Sequence, residues 1–117
     1  LESSIFRALR IVVDTSLHMG ELGFDDAVGQ LHTRLAMSEP TARAEIGRYC
    51  AWPTQASSYL TGCLGILDIR DRWLAARGLG GVAIADLDPG VLREFHDRIA
   101  SAGSLPIGLV ERVMLDG

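Results

Sequence analysis

Lysine is absent from this sequence: all 11 basic residues are arginine, set against 15 acidic ones, for a net charge of −4. A protein that grips a phosphate backbone presents a net basic surface, so nucleic acid is not expected as a partner. Cysteine is scarce. Cys50 and Cys63 make neither a disulfide framework nor a C-x-x-C metal pair, and both are expected as small buried hydrophobes. Uninterrupted apolar runs are short, because Arg7, Arg10, Asp14 and His18 cut the first candidate and Asp68 to Arg72 cuts the longest later one. No transmembrane span is expected. No basic flank leads into an apolar core and a small-residue cleavage site, so no secretory signal is visible and the default expectation is cytoplasmic. H-E-x-x-H, G-x-S-x-G, a phosphate loop and a dinucleotide glycine fingerprint are missing as well, which removes most self-contained enzymes and any recognisable zinc site in the chain.

What is present is apolar and helical. A hydrophobic fraction of 48% over 117 residues is enough to offset chain entropy in one compact domain or a fragment of one, with no internal boundary visible. The opening Leu1, in place of methionine, points to a removed leader or to a piece of something longer. Ile5, Leu9, Val12 and Val13 recur at helical spacing from Leu1 to about Met19. A second helix starts at Phe24-Asp25-Asp26, its acidic first turn suited to the helix dipole, with Ala27, Val28, Leu31 and Leu35 as its stripe. Ser38 caps a third that carries Pro40 in its first turn and ends at Trp52-Pro53. A fourth runs from about Thr54 to Ala76 and stops at Gly78, apolar around so much of its circumference that burial on more than one side is expected. Asp88-Pro89 opens a fifth, ended by Gly103, and Pro106 to about Leu115 is a short sixth. Gly78 to Leu87 is a loop or at most one short strand. The expectation is an all-α irregular bundle of five or six helices, the first and fourth of which want partners.

Several polar residues lie where this fold does not require them. Arg10, Asp14 and His18 recur every four residues on the apolar first helix. They are either an ion-pair ladder, or Asp14 orients His18 and leaves its other ring nitrogen for a substrate or metal. Glu45, Arg48 and Tyr49 follow at spacings of three and four, Glu45 and Arg48 fitting a local helix pair. Gln55 and Tyr59 then share a face near a helix N-terminus that favours negative charge. Tyr59 is either a core aromatic or a hydroxyl donor to an oxyanion. His32 fits a solvated face and His96 a helix interface.

Taken together, Arg10-Ile11-Val12-Val13-Asp14-Thr15-Ser16-Leu17-His18, Gly23-Phe24 and Ala27, Glu45-x-x-Arg48-Tyr49, Pro53-x-Gln55-x-x-Ser58-Tyr59-x-x-Gly62, Arg70, Phe95-His96-Asp97 and Gly103-x-x-Pro106 resemble the C-terminal third of the bacterial domain-of-unknown-function family 885. Ser16 stands where that family usually has glycine. The resemblance implies the C-terminal portion of a larger, mostly helical, zincin-like metallopeptidase whose zinc-ligand helix lies upstream. Zinc is expected in that full-length parent and no metal site in this chain. By the same resemblance His18 and Tyr59 stabilise the oxyanion of a peptide substrate, Asp14 orients His18, and Arg48, Tyr49 and Gln55 shape the substrate side. The implied partners are the upstream remainder of the parent or a self-associating copy. The alternative, from the apolar faces alone, is a non-catalytic helical interaction or dimerisation module.

Overall fold

The computed structural model describes residues 2–116; a helix start at Leu1 lies outside them. Six helices follow one another: α1 (Glu2–His18), α2 (Phe24–Leu35), α3 (Glu39–Ala51), α4 (Gln55–Ala76), α5 (Pro89–Ser101) and α6 (Ile107–Leu115). No strand occurs among the described residues, and the segment from Gly78 to Leu87 is a loop holding one 3-10 turn, Ile84–Asp86.

The helix ends follow local chemistry. Ser38 Oγ accepts from the Thr41 N–H (3.4 Å) with Pro40 in the first turn of α3, and Asp88 Oδ1 accepts from the Gly90 N–H (2.7 Å) ahead of α5. Both side chains satisfy N–H groups that the helix itself leaves unpaired. Gly78 stops α4 at φ +73°, a left-handed conformation that only glycine adopts without cost. Between α3 and α4 the chain turns through Thr54 at φ +69°, where a β-branched residue is strained.

The sequence predicts no internal boundary; the helices pack as two compact units, Leu1–Thr61 and Gly62–Gly117, the division falling within α4. In the first, Leu9 and Val13 of α1 meet Val28 and Leu31 of α2 and Ile46 and Tyr49 of α3, with Ala27, Ala42 and Ala56 filling the narrow places between them. In the second, Ile69, Trp73 and Leu74 of α4 pack with Leu87, Phe95, Val110 and Met114. Trp73 and Phe95 stand with ring centroids 5.5 Å apart, a favoured tilted arrangement. Gly65 lets α6 approach closely, since a β-carbon on it would come within 2.9 Å of the Ile107 side chain and force it to shift.

Some expected burial is not found. Cys50 and Cys63 are exposed: Cys50 sits one position round α3 from the buried Tyr49, and Cys63 lies two turns past Ala56, the last buried residue of the first unit. Ile5 and Val12 are exposed because α1 turns Leu9 and Val13 inward instead. The middle of α4 is not enclosed on more than one side, as Tyr59, Leu64, Ile66 and Leu67 are all open.

Leu31 has no exposed surface, and a Leu→Ala truncation at a closed site costs about 2–5 kcal/mol. Leu31→Ala should lower the stability read from urea denaturation by that amount, and an unchanged midpoint would contradict the packing described.

Candidate functional site

Two polar groupings in the first unit go beyond what packing needs, one at the buried Asp14 carboxylate and one a hydrogen-bond chain from Glu45 to Tyr59. Asp14 on α1 is 2% exposed, and a charge at that depth must be compensated. Its Oδ2 accepts from the Ser57 N–H (3.3 Å) in the first turn of α4. An N–H of the first turn of α4 is thus capped from another helix, and the positive end of the α4 dipole faces the carboxylate. The second partner is His18, one turn along α1. Its Nδ1 donates to the Asp14 carbonyl oxygen at 2.8 Å and lies 3.1 Å from Oδ1. Oδ1 has no aligned hydrogen-bond donor among the described residues, so the backbone oxygen is the true acceptor and the carboxylate acts as a nearby charge. A carbonyl can only accept, so Nδ1 must carry a proton. In neutral His18 the proton is therefore on Nδ1 and Nε2 is a bare acceptor; His18 donates from Nε2 only as the imidazolium. Its side chain is 34% exposed, open enough for a ligand to reach.

Arg10 does not complete the expected ladder to Asp14. It is 7% exposed and its guanidinium carbon lies 4.6 Å from the Tyr59 ring centroid, 5.2 Å from that of Phe6 and 5.7 Å from that of Tyr49. A guanidinium enclosed by π faces draws part of its stabilisation from the ring quadrupoles. Its Nε has no hydrogen-bond partner among the described residues.

A chain of side-chain hydrogen bonds joins α3 to α4. Glu45 Oε2 accepts from both Arg48 (2.6 Å) and the Tyr49 hydroxyl (3.0 Å). Arg48 donates also to Gln55 Oε1 (2.7 Å), and Gln55 Nε2 donates to the Tyr59 hydroxyl oxygen (2.9 Å). The two tyrosines thus differ. Tyr49 is closed to solvent at 1% exposure and spends its proton on Glu45; Tyr59 is half open at 51% and accepts, so its own proton has no acceptor among the described residues. Burial, and then the hydrogen bond to the Glu45 carboxylate, hold the Tyr49 phenol well above its ordinary range, against the opposing charges of Arg10 and Arg48. The Glu45 hydrogen bond likewise raises the Arg48 guanidinium.

The structure therefore brings Asp14, His18, Arg48, Tyr49, Gln55 and Tyr59 into one unit, yet encloses Tyr49, which was expected on the substrate side. Glu45 and Arg48 are a helix pair and more, since Arg48 also reaches Gln55. Phe6 and the Ser57 backbone, which share in the site, carry no sequence signal, because a ring under a cation and an N–H under a carboxylate are set by tertiary placement. His32 is exposed and its Nδ1 bonds the Met37 carbonyl (2.7 Å) beyond the end of α2; His96 is exposed beside Phe95. No group of three His, Cys, Asp or Glu among the described residues gathers as metal ligands, so these residues do not fit a zinc held by them alone.

The model of a family described as "Bacterial protein of unknown function (DUF885)" matches residues 1–114. Comparison with curated proteins and with solved structures gives no match.

The raised Tyr49 phenol fixes the sign of an alkaline effect. Tyrosine in the unfolded chain ionises near pH ~10, whereas Tyr49 in the fold stays neutral to higher pH. Above that point the unfolded state has released a proton that the folded state retains, so its contribution to stability is complete below pH ~10 and declines as pH rises further. Denaturation measured across this range should show a loss for the native chain that Tyr49→Phe reduces; equal slopes for the two would contradict the assignment.

Proposed function

The chain belongs to the DUF885 family, and we propose that it forms one wall of a metallopeptidase-like hydrolase site, supplying donors to the oxygen on which negative charge develops during peptide cleavage. The observation that carries this reading is the Tyr59 hydroxyl, whose oxygen is tied to Gln55 while its proton stands free on a half-exposed ring. A preorganised donor of that kind stabilises an oxyanion without having to reorganise during the reaction. His18, held by Asp14, is the second donor. It fills that role as the imidazolium, whose charge the buried Asp14 carboxylate offsets at 3.1 Å, so the reaction should need a protonated His18 and not the neutral ring.

On this reading zinc, which polarises a carbonyl and activates water when bound, is held by residues of a longer parent protein, and none of the steps assigned to this chain passes through it. Asp14 orients and Tyr59 donates. Arg48 and Gln55 border the substrate side, and Tyr49 supports them from within. The partners we propose are a peptide substrate and either the upstream remainder of the parent or a second copy. A second reading, a helical interaction module, is favoured by the exposed apolar side chains Leu64 and Leu67 on α4 and Ile107, Leu109 and Val113 on α6. No helix among the described residues is long and apolar enough to cross a membrane.

Tyr59→Phe keeps the ring under Arg10 and deletes the donor. In a parent that hydrolyses peptides, kcat should fall by about 10²–10³, the cost of one oxyanion donor, with KM little changed. An unchanged kcat would remove Tyr59 from the chemistry.

A further inference from the structure

We infer that Arg48 and Gln55 are positioning residues that set the direction of the Tyr59 hydroxyl proton, making this site a donor and selecting ligands that present a hydrogen-bond acceptor. The inference rests on the reading of Tyr59 as a donor to substrate and adds what enforces it. A phenol hydroxyl is ambivalent, able to donate or accept, and a carboxamide is ambivalent as well, because its oxygen and nitrogen exchange places on a half-turn. Arginine is not: it has five donors and no acceptor. Arg48 is itself held by Glu45 Oε2 at 2.6 Å, which leaves its other terminal nitrogen 2.7 Å from the Gln55 side chain. That contact is a hydrogen bond only if the Gln55 oxygen faces Arg48. The amide nitrogen must then face Tyr59, 2.9 Å away, and a nitrogen that donates compels the hydroxyl to accept. One unambiguous group thus removes the ambiguity of the two that follow it.

The far end of the chain is fixed by the same logic. Glu45 as a carboxylate only accepts, so the Tyr49 hydroxyl donates to it at 3.0 Å, and Tyr49 has no polarity left to pass on. Arg10 contributes by covering the face of the Tyr59 ring at 4.6 Å, which holds the phenol plane while Gln55 holds its oxygen. A ligand arriving at Tyr59 therefore meets a proton. A carbonyl, carboxylate or phosphoryl oxygen is accepted; an ammonium or amide N–H placed on the same spot is not.

The full 117-residue chain has two tyrosines, so the resonance Raman difference between it and Tyr59→Phe isolates Tyr59. The tyrosine doublet has its higher-frequency member stronger when the phenol accepts and its lower-frequency member stronger when the phenol donates to an anion. In the native chain the higher-frequency member should dominate. Gln55→Glu replaces the donor by a carboxylate that still accepts from Arg48, so Tyr59 must turn its proton inward and the intensities should invert. Arg48→Met frees the Gln55 amide to rotate and should move the doublet the same way, which keeps the test available if Gln55→Glu fails to fold. A native doublet already of the donating kind, or one unmoved by the folded variants, would overturn the inference. The doublet is read without substrate, so an intact switch together with an unchanged kcat in Tyr59→Phe would retain the relay and reject the hydrolase reading.

Discussion

A carboxylate buried to 2% exposure is the constraint on which the first unit depends. Left alone, the charge of Asp14 would cost several kcal/mol of desolvation, and the site is arranged so that it is not left alone. The N-terminus of α4 points at it through the Ser57 N–H, and the His18 ring is drawn back against the helix that carries it. A hydrogen bond to a charged group contributes about 1.5–3 kcal/mol, comparable to burying one more large apolar side chain. The geometry matters more than the magnitude. The carboxylate fixes where α4 begins, the backbone carbonyl of the same residue fixes which ring nitrogen of His18 faces out, and Tyr59 stands two residues beyond the capped N–H, so its position is inherited from the Asp14–Ser57 contact.

The two arginines beside that centre are used differently, since Arg48 answers Glu45 while Arg10 forms no ion pair among the described residues. Arg48 is paired edge-on with a carboxylate and a carboxamide, the fork geometry that lysine lacks. Arg10 is enclosed by rings and has an unpartnered Nε. A sequence with no lysine at all suits both uses, since a compact ammonium is more strongly hydrated and would resist the aromatic enclosure at Arg10.

Much of the fold is legible in the sequence because its signals are local. Ser38 with Pro40, Asp88 with Pro89, and the glycines at 78 and 103 mark helix ends through groups within four residues of one another, and the structure has those ends. Burial was less legible. Apolar character around α4 reads as enclosure, but Cys63 and Leu64 on that helix sit exposed. The site was legible as a set of residues and not as a set of roles. Spacing placed Asp14 with His18 and Gln55 with Tyr59, contacts within one helix. It was silent on Ser57 meeting Asp14 across 43 residues, on Arg48 reaching Gln55 from another helix, and on the closure of Tyr49. Those depend on how α1, α3 and α4 come together.

The role assigned to His18 follows from Asp14 holding its ring with Nδ1 inward. Nitrogen-15 NMR of the His18 side chain, recorded where the ring is neutral, reads this directly. Nδ1 should be the protonated nitrogen and Nε2 the bare one, because the Asp14 carbonyl 2.8 Å from Nδ1 can only accept. A neutral ring protonated on Nε2 would contradict the account at its centre.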